Sequence, residues 1–440
     1  MKPLLWIATL TLLSAGVPAW ADPVPLTREA ARHLAVERSA TLQKANLGIE
    51  AASLSLQAQG YSALPTLAVS GSGTVDTSST GAPLDDRLGS SVGLSVNGTL
   101  YDGGQNRALT AKADLATRSA RESYRSARLT LLGDVDAAFY AVLQDEASVA
   151  AASGDLAAAK LRLEIAQAKV DAHILSRSDY LQTLSEAASY ELTLNTDKKN
   201  LASARAKLAS LTGRPATVLT PVDFAAYDAL RTRLMSLDDA QWNQMVSAVK
   251  QAVKTNNPSA QTTALAHGQA KLAVDAANAG FSPTLTAGYS VSAPLISAGS
   301  SPAVSGTVTL TASWNLDWWV TKNSVDSASI ALRQAAFDVD QSAVDLDLSV
   351  DQALLEWVAS ARAIDSAAQA LAYAASNYDN VLEKFKLSSV TASDLSQAEA
   401  LVSTDKTTLI NAQYTFLADL TSLRTYAGLE ADEQFVGILF

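Results

Sequence analysis

Few residues in this 440-residue chain could make or break bonds. It has three histidines, His33, His173 and His267, far apart, and no cysteine. That supply argues against a zinc centre, a thiolate nucleophile or a Ser-His-Asp triad. Gly103-Gly104 is a turn feature with no P-loop lysine after it. Two acids and four aromatics remain. Asp179 and Asp394 each stand just after a short break between long helical stretches. A carboxylate there caps a helix or meets its positive N-terminal dipole. Tyr101, Trp314, Trp318 and Trp319 flank segments that alternate between apolar and small polar residues. Such rings collect at membrane interfaces, with packing beneath a rim as the plainer reading. His173 lies in one of the breaks; imidazole titrates near neutral pH, but a lone turn histidine is more often inert.

The elements that must position these residues follow from hydrophobic period. A helix of about 35 residues is expected over 26–60, with Thr27 as its N-cap, and another over 241–280. The period then drops to two over 66–79, 91–101, 284–292 and 304–316, which read as strands joined by Gly/Ser/Asp-rich loops. Helix returns over 104–172 and 320–387, each roughly 100 Å long at 1.5 Å per residue. Short breaks at 172–176 and 387–391 precede second helices over 178–211 and 393–426. Gly213 and Gly428 fall where a helix C-cap glycine belongs. Each long helix and its successor form an antiparallel hairpin with a turn at the far end.

The order occurs twice. Gly60-Tyr61-Ser62 with Pro65-Thr66-Leu67 returns as Gly280-Phe281-Ser282 with Pro283-Thr284-Leu285. At a constant shift of about 215 residues, Val135, Asp136, Ser178, Asp179, Leu208 and Gly213 meet Val350, Asp351, Ser393, Asp394, Leu423 and Gly428. The chain divides into a first repeat (22–213), an equatorial linker with a short helix (214–240), a second repeat (241–428) and a tail (429–440) expected to pack on the helical wall.

Compartment and charge narrow the function. Met1-Lys2-Pro3, the apolar run 4–13 and Ala19-Trp20-Ala21 form a signal peptide, residues 1–21. The net charge of −11 becomes −12 without Lys2. That acidity argues against nucleic acid as a partner. About one residue in five is alanine, the best helix former. No later apolar stretch reaches the length of a membrane-spanning helix, so an exported chain of this kind is soluble or crosses a membrane as strands. Four strands cannot close a barrel, whose practical minimum is about eight. Three copies would supply twelve.

This arrangement resembles the TolC-type outer membrane factors over essentially the whole mature chain. The resemblance rests on the strand entries Gly60-Tyr61…Pro65-Thr66-Leu67 and Gly280-Phe281-Ser282-Pro283. It rests also on the strand exit Leu100-Tyr101-Asp102-Gly103-Gly104 and the pattern Asp179…Leu208…Leu211…Gly213. It implies a mainly α protein with a transmembrane β portion. Three protomers would form a twelve-stranded outer membrane β-barrel above a periplasmic α-helical barrel. It implies passive export as the exit duct of a tripartite efflux pump or type I secretion system. The partners implied are two further copies, a periplasmic adaptor (membrane fusion) protein, an inner-membrane transporter of RND or ABC type, and outer membrane lipid. No cofactor and no metal are implied, and the chain is not expected to be an enzyme.

The resemblance also assigns roles. Asp179 and Asp394 would ring the periplasmic pore as an acidic constriction, attracting cations. The tips His173, Ile174, Leu175, Ser388, Ser389 and Val390 would dock the adaptor. This chain departs from the family pattern in three places. Asp317-Trp318-Trp319 stands where the first repeat has Asp102-Gly103-Gly104. His173 and Ser388 stand where many relatives have glycine. Gln182 and Gln397 replace a second acid, weakening any acidic gate. The competing reading is a soluble periplasmic coiled-coil adaptor or spacer, which would need no paired, alternating strands.

Overall fold

The computed structural model of the protein describes residues 25–75, 88–215, 218–296, 303–387 and 389–439. The expected signal peptide, residues 76–79 of the first expected strand, and Ser388 lie outside the described residues. The first repeat runs α1 (Arg28–Arg38), α2 (Ala40–Tyr61), β1 (Thr66–Val75), β2 (Leu88–Tyr101), α3 (Gln105–Asp171) and α4 (Arg177–Thr212). After α5 (Ala225–Met235), the second runs α6 (Asp239–Asn256), α7 (Pro258–Asn278), β3 (Thr284–Ile296), β4 (Ser305–Ser313), α8 (Trp318–Lys386) and α9 (Ala392–Tyr426). The tail forms α10 (Asp432–Leu439).

The first helix of each repeat departs from expectation: it is two helices, broken at Ser39 and at Asn257. Both break residues are extended, and both cap the next helix. Ser39 Oγ accepts from the Leu42 amide, and Asn257 Oδ1 from the Ser259 and Ala260 amides. Pro258 fits at the first helical position, where its missing N–H costs nothing. Gly213 and Gly428 sit against these breaks with φ of 68° and 70°. A Cβ on Gly213 would come within 2.6 Å of Arg38, and one on Gly428 within 2.3 Å of the Asn256 carbonyl. Each glycine thus ends its helix in the left-handed region and lets the kinked helix lie close.

The four strands form one antiparallel sheet in the order β1-β2-β3-β4. Its register sorts the side chains by face. Leu67, Val96, Tyr289 and Val308 align across the sheet, as do Val69, Leu94 and Val291. On the opposite face Ala68, Ser95, Ser290 and Thr307 align, and so do Thr66, Asn97, Gly288 and Thr309. No described strand residue is charged. Leu67, Val69, Val308 and Leu310 remain exposed, so no described helix covers the apolar face.

Below the sheet, α3 and α8 are 67 and 69 residues long, roughly 100 Å each. No described helix is long and apolar enough to cross a membrane. Each pairs with its successor as a hairpin, α3 with α4 and α8 with α9, and the hairpins join through α3 and α9. Nearer the sheet, α7 lies between α3 and α8, and α2 flanks α3. The main core is at the waist, where α1, α5, α6 and α10 wrap the long helices. There Trp357 is fully buried, its ring stacked 5.7 Å from Phe416, and Phe435 of the tail is buried beside them.

Candidate channel wall and periplasmic tip

Both tip aspartates occupy the third position of their helices, set by N-caps Ser176 and Thr391. Their carboxylates differ. Asp394 closes a full capping box: its Oδ2 accepts from the Thr391 amide at 2.8 Å and the Thr391 hydroxyl at 2.7 Å, and its own amide donates to Thr391 Oγ1. The hydroxyl and amide of Thr391 hold this carboxyl below its ordinary range. At Asp179 only the backbone half forms, with its amide donating to Ser176 Oγ at 3.1 Å. The Asp179 side chain instead lines a cleft of about 530 Å³ between the two hairpins. Ile174, Leu175, Val390 and Phe385 supply the cleft's apolar wall, and Lys169 and Arg162 its cations.

His173 turns the chain at the first tip in the left-handed region, φ 59°, alone among described non-glycine residues. Its amide donates to the Val170 carbonyl and that of Ile174 to Lys169, which satisfies the last carbonyls of α3. This is the backbone reason a glycine fits there. Ile174 and Ser389 are exposed, and Leu175 and Val390 partly so.

Tyr101 ends β2, and Trp314, Trp318 and Trp319 follow β4. Because β2 and β4 run the same way, all four meet one rim, where strands hand over to α3 and α8. All four are exposed, and Trp314 and Trp318 lie 6.5 Å apart. Trp314 Nε1 donates to the Phe281 carbonyl at 3.1 Å, anchoring the rim to the end of the α7 segment. The hand-over differs between repeats. In the first, Asp102 accepts from the Gly104 and Asn106 amides, and a Cβ on Gly103 would strike Ser282 at 2.6 Å. In the second, α8 begins directly at Trp318.

Three groupings escaped the sequence reading. The first is a buried ion cluster at the waist. Arg32 grips Asp136 through both oxygens, 2.7 and 2.5 Å, and Arg424 bridges Asp136 at 2.8 Å to Asp432 at 2.9 Å. Arg28 reaches Asp432 and the Tyr140 hydroxyl, both at 2.6 Å. Burial alone would raise the Asp432 carboxyl; Arg28 and Arg424 outweigh it and hold it low. In the sequence Asp136 stands out only as a repeat match, with nothing to pair it with residues as distant as Arg424.

The second grouping is a pair of exposed stripes. On α2, Leu47, Leu54 and Tyr61 recur every seven residues. On α8, Ile330, Phe337, Val344, Leu348 and Leu355 share one face. This signal was legible as a heptad pattern. The third is a polar seam between α9 and the first hairpin, at Ser396, Glu399 and Ser403. Among the described residues no cluster of acids and histidines is placed to hold a metal.

The family model described as outer membrane efflux protein matches residues 31–214 and 249–429, one match per repeat. No curated protein sequence matches significantly. Among solved structures, the chain is similar to the transmembrane channel CusC (TM-score 0.80, 16% identity, 92% of this chain and 93% of that one). It is also similar to the outer membrane protein VceC from Vibrio cholerae (0.77, 15%, 92% and 97%). A third is the outer membrane channel CmeC of Campylobacter jejuni (0.75, 16%, 97% and 94%). At these identities the likeness is one of fold.

Proposed function

The chain belongs to the outer membrane efflux protein family, and on that footing we propose that three copies close side by side into one export duct. The family is one of outer membrane channels rather than enzymes, and this chain's place is the outer membrane, with its helices extending into the periplasm. The observation that carries the assembly is an uncharged sheet with one bare apolar face and two open edges, β1 and β4. Strands of 9 to 14 residues, apolar on one face and hydroxyl-lined on the other, suit a lipid-facing barrel wall.

Every storey of the protomer is open at the same two sides. One side carries β1, α2 and α4; the other carries β4 and α8. The exposed stripe on α2 stands on the side of the protomer opposite the α8 stripe and would meet the α8 stripe of the next copy, while Leu181, Leu184 and Leu192 leave the same side apolar toward the tip. Such a heterologous contact repeats around an axis and closes as a ring. Three copies bring twelve strands, enough for a barrel. The helical hairpins prolong the wall toward the inner membrane. There the tips at 173–175 and 388–390 dock a periplasmic adaptor, through which an inner-membrane transporter supplies the energy. Tyr101 and the three tryptophans mark the lipid interface.

Asp179 presents the more open cation-attracting charge at the entrance, because the Asp394 carboxylate, though still charged, is turned back onto its own helix end. Phe337→Glu with Val344→Glu should abolish the trimer, read as mass by light scattering in detergent; a trimer that survives would sink this interface. Planar-bilayer recording tests the entrance. Asp179→Ala with Asp394→Ala should raise single-channel conductance and weaken block by multivalent cations, and Asp179→Ala alone should give most of the effect. Unchanged block would remove both acids from the pore.

A further inference from the structure

Three residues on one face of α9, at i, i+3 and i+7, reach across to the first hairpin. The Ser396 hydroxyl donates to Glu186 on α4. Glu399 pairs with Arg162 on α3. The Ser403 hydroxyl donates to Asp155 on α3 at 2.5 Å. Further toward the waist the link is neutral, Gln144 to Asn411 at 2.8 Å. The seam near the tip therefore sets two further carboxylates, Glu186 and Asp155, on either side of the Glu399–Arg162 pair. Glu399 is only 7% exposed.

The remaining neighbours do not redress the charge. Tyr190 on α4 and Tyr378 on α8 face Glu399 and Arg162, and burial pushes both phenols up, so they stay neutral near pH 7. Asp379 and Lys386, on α8 beyond Tyr378, act on that phenol with opposite signs. Lys169 is drawn off over the Phe385 ring, 4.7 Å from its centre. Serine hydroxyls stabilise carboxylates but do not neutralise them. A half-buried cluster in which carboxylates outnumber cations repels itself, and the smallest ligand that relieves it is a proton.

We propose that this seam is a proton-operated latch: one proton taken up by Glu399, between Glu186 and Asp155, holds the two hairpins together, and its release lets them part. Burial pushes the Glu399 carboxyl up, Asp155 and Glu186 push it further, and Arg162 opposes them. An acid whose pKa is higher in the packed state binds its proton more tightly there, so falling pH favours the packed seam and rising pH weakens it. Its consequence for transport rests on the duct reading: parted hairpins widen the periplasmic end.

The absence of cysteine makes the test clean. Spin labels at Ile174→Cys and Leu387→Cys, one per tip, report the hairpin separation in the full chain in detergent by pulsed dipolar spectroscopy. The parted population should grow from pH 5 to pH 8, by at most about tenfold per pH unit for one linked proton. Glu399→Gln should leave a short, pH-independent distance. Glu186→Gln, which removes a repelling neighbour, should move the midpoint to lower pH. The response must survive in Asp179→Asn with Asp394→Asn, which removes the tip acids. A distribution that ignores pH, a Glu399→Gln variant that keeps the full response, or an unmoved Glu186→Gln midpoint would each overturn the latch. Pore formation in planar bilayers at pH 7.5 is a separate readout: its loss would sink the duct while the distances still judge the latch.

Discussion

The two repeats build the same joint from corresponding residues and use it differently. In the first, Arg32 on α1 pairs with Asp136 on α3; in the second, Lys250 on α6 pairs with Asp351 on α8 at 2.7 Å. Asp136 is fully buried, and Arg424 and the tail's Asp432 extend its pair into a network. The Asp351 side chain is 45% exposed and its pair stands alone among the described contacts. Duplication thus supplied one acid–base joint twice. Only the copy covered by the C-terminal tail became a buried hub, and the tail exists once. What a pair contributes is set by what lies over it, not by the residues that make it.

The sharpest break of this comparison is Asp136→Ala against Asp351→Ala. Removing Asp136 leaves Arg32 buried without its carboxylate and Arg424 with Asp432 alone, and should cost about 3–5 kcal/mol, read from thermal or denaturant unfolding. Removing Asp351 should cost at most about 1 kcal/mol. Equal losses would mean that the waist network adds nothing beyond its pairs. The hub also has a pH signature. The Asp432 carboxyl is held low in the fold, so its contribution is present above the ordinary carboxylate range and is lost as pH falls through its depressed pKa. Acid unfolding of an Asp432→Asn variant should therefore be less steep than that of the native chain.

The paired glycines give the next largest contrast. Gly213→Ala and Gly428→Ala both force a side chain into the left-handed region, a penalty of about 1–2 kcal/mol. Gly428→Ala should cost more, because its Cβ meets the rigid Asn256 carbonyl, whereas Gly213 faces the movable Arg38 side chain. The opposite order in melting temperature would contradict the packing at the two kinks. At the tips, His173→Gly should stabilise the first hairpin by about 1 kcal/mol, measured by hydrogen exchange over the last turn of α3. The smallest effect is at the caps. Asp394→Ala should fray the first turn of α9, while Asp179→Ala should leave that of α4 nearly unchanged, since only Asp394 closes its box. Equal amide protection at the two sites would remove the distinction.

Much of the fold was legible because it is local. Alternation revealed the strands, the helical period and missing prolines marked the long hairpins, and Gly213 and Gly428 marked their ends. The kinks at Ser39 and Asn257 were not seen as breaks. Ser39 reads as an ordinary helix residue, and the reason for a break there lies in the packing of Gly213 against Arg38 beside it. The tip acids were found as a pair, but their inequality lies in hydrogen bonds of 2.7 and 2.8 Å that only Asp394 makes. The hub of Arg28, Arg32, Asp136, Arg424 and Asp432 left no sequence signal, because single charged residues scattered along a chain look the same whether they end in water or in the core.

By itself, then, the sequence determined the periods: two per strand, 3.6 per helix, about 215 per repeat. Those periods dictate element types and their order, since backbone hydrogen bonding and hydrophobic burial act over a few neighbouring residues. Tertiary structure decided which of two equivalent residues carries a burden. It buried Asp136 and left Asp351 wet, tied down Asp394 and turned Asp179 into the cleft, and set Glu186 and Asp155 beside the Glu399–Arg162 pair. Electrostatic energies depend on distance and on the water excluded around each charge, and both are known only once the chain has folded over itself.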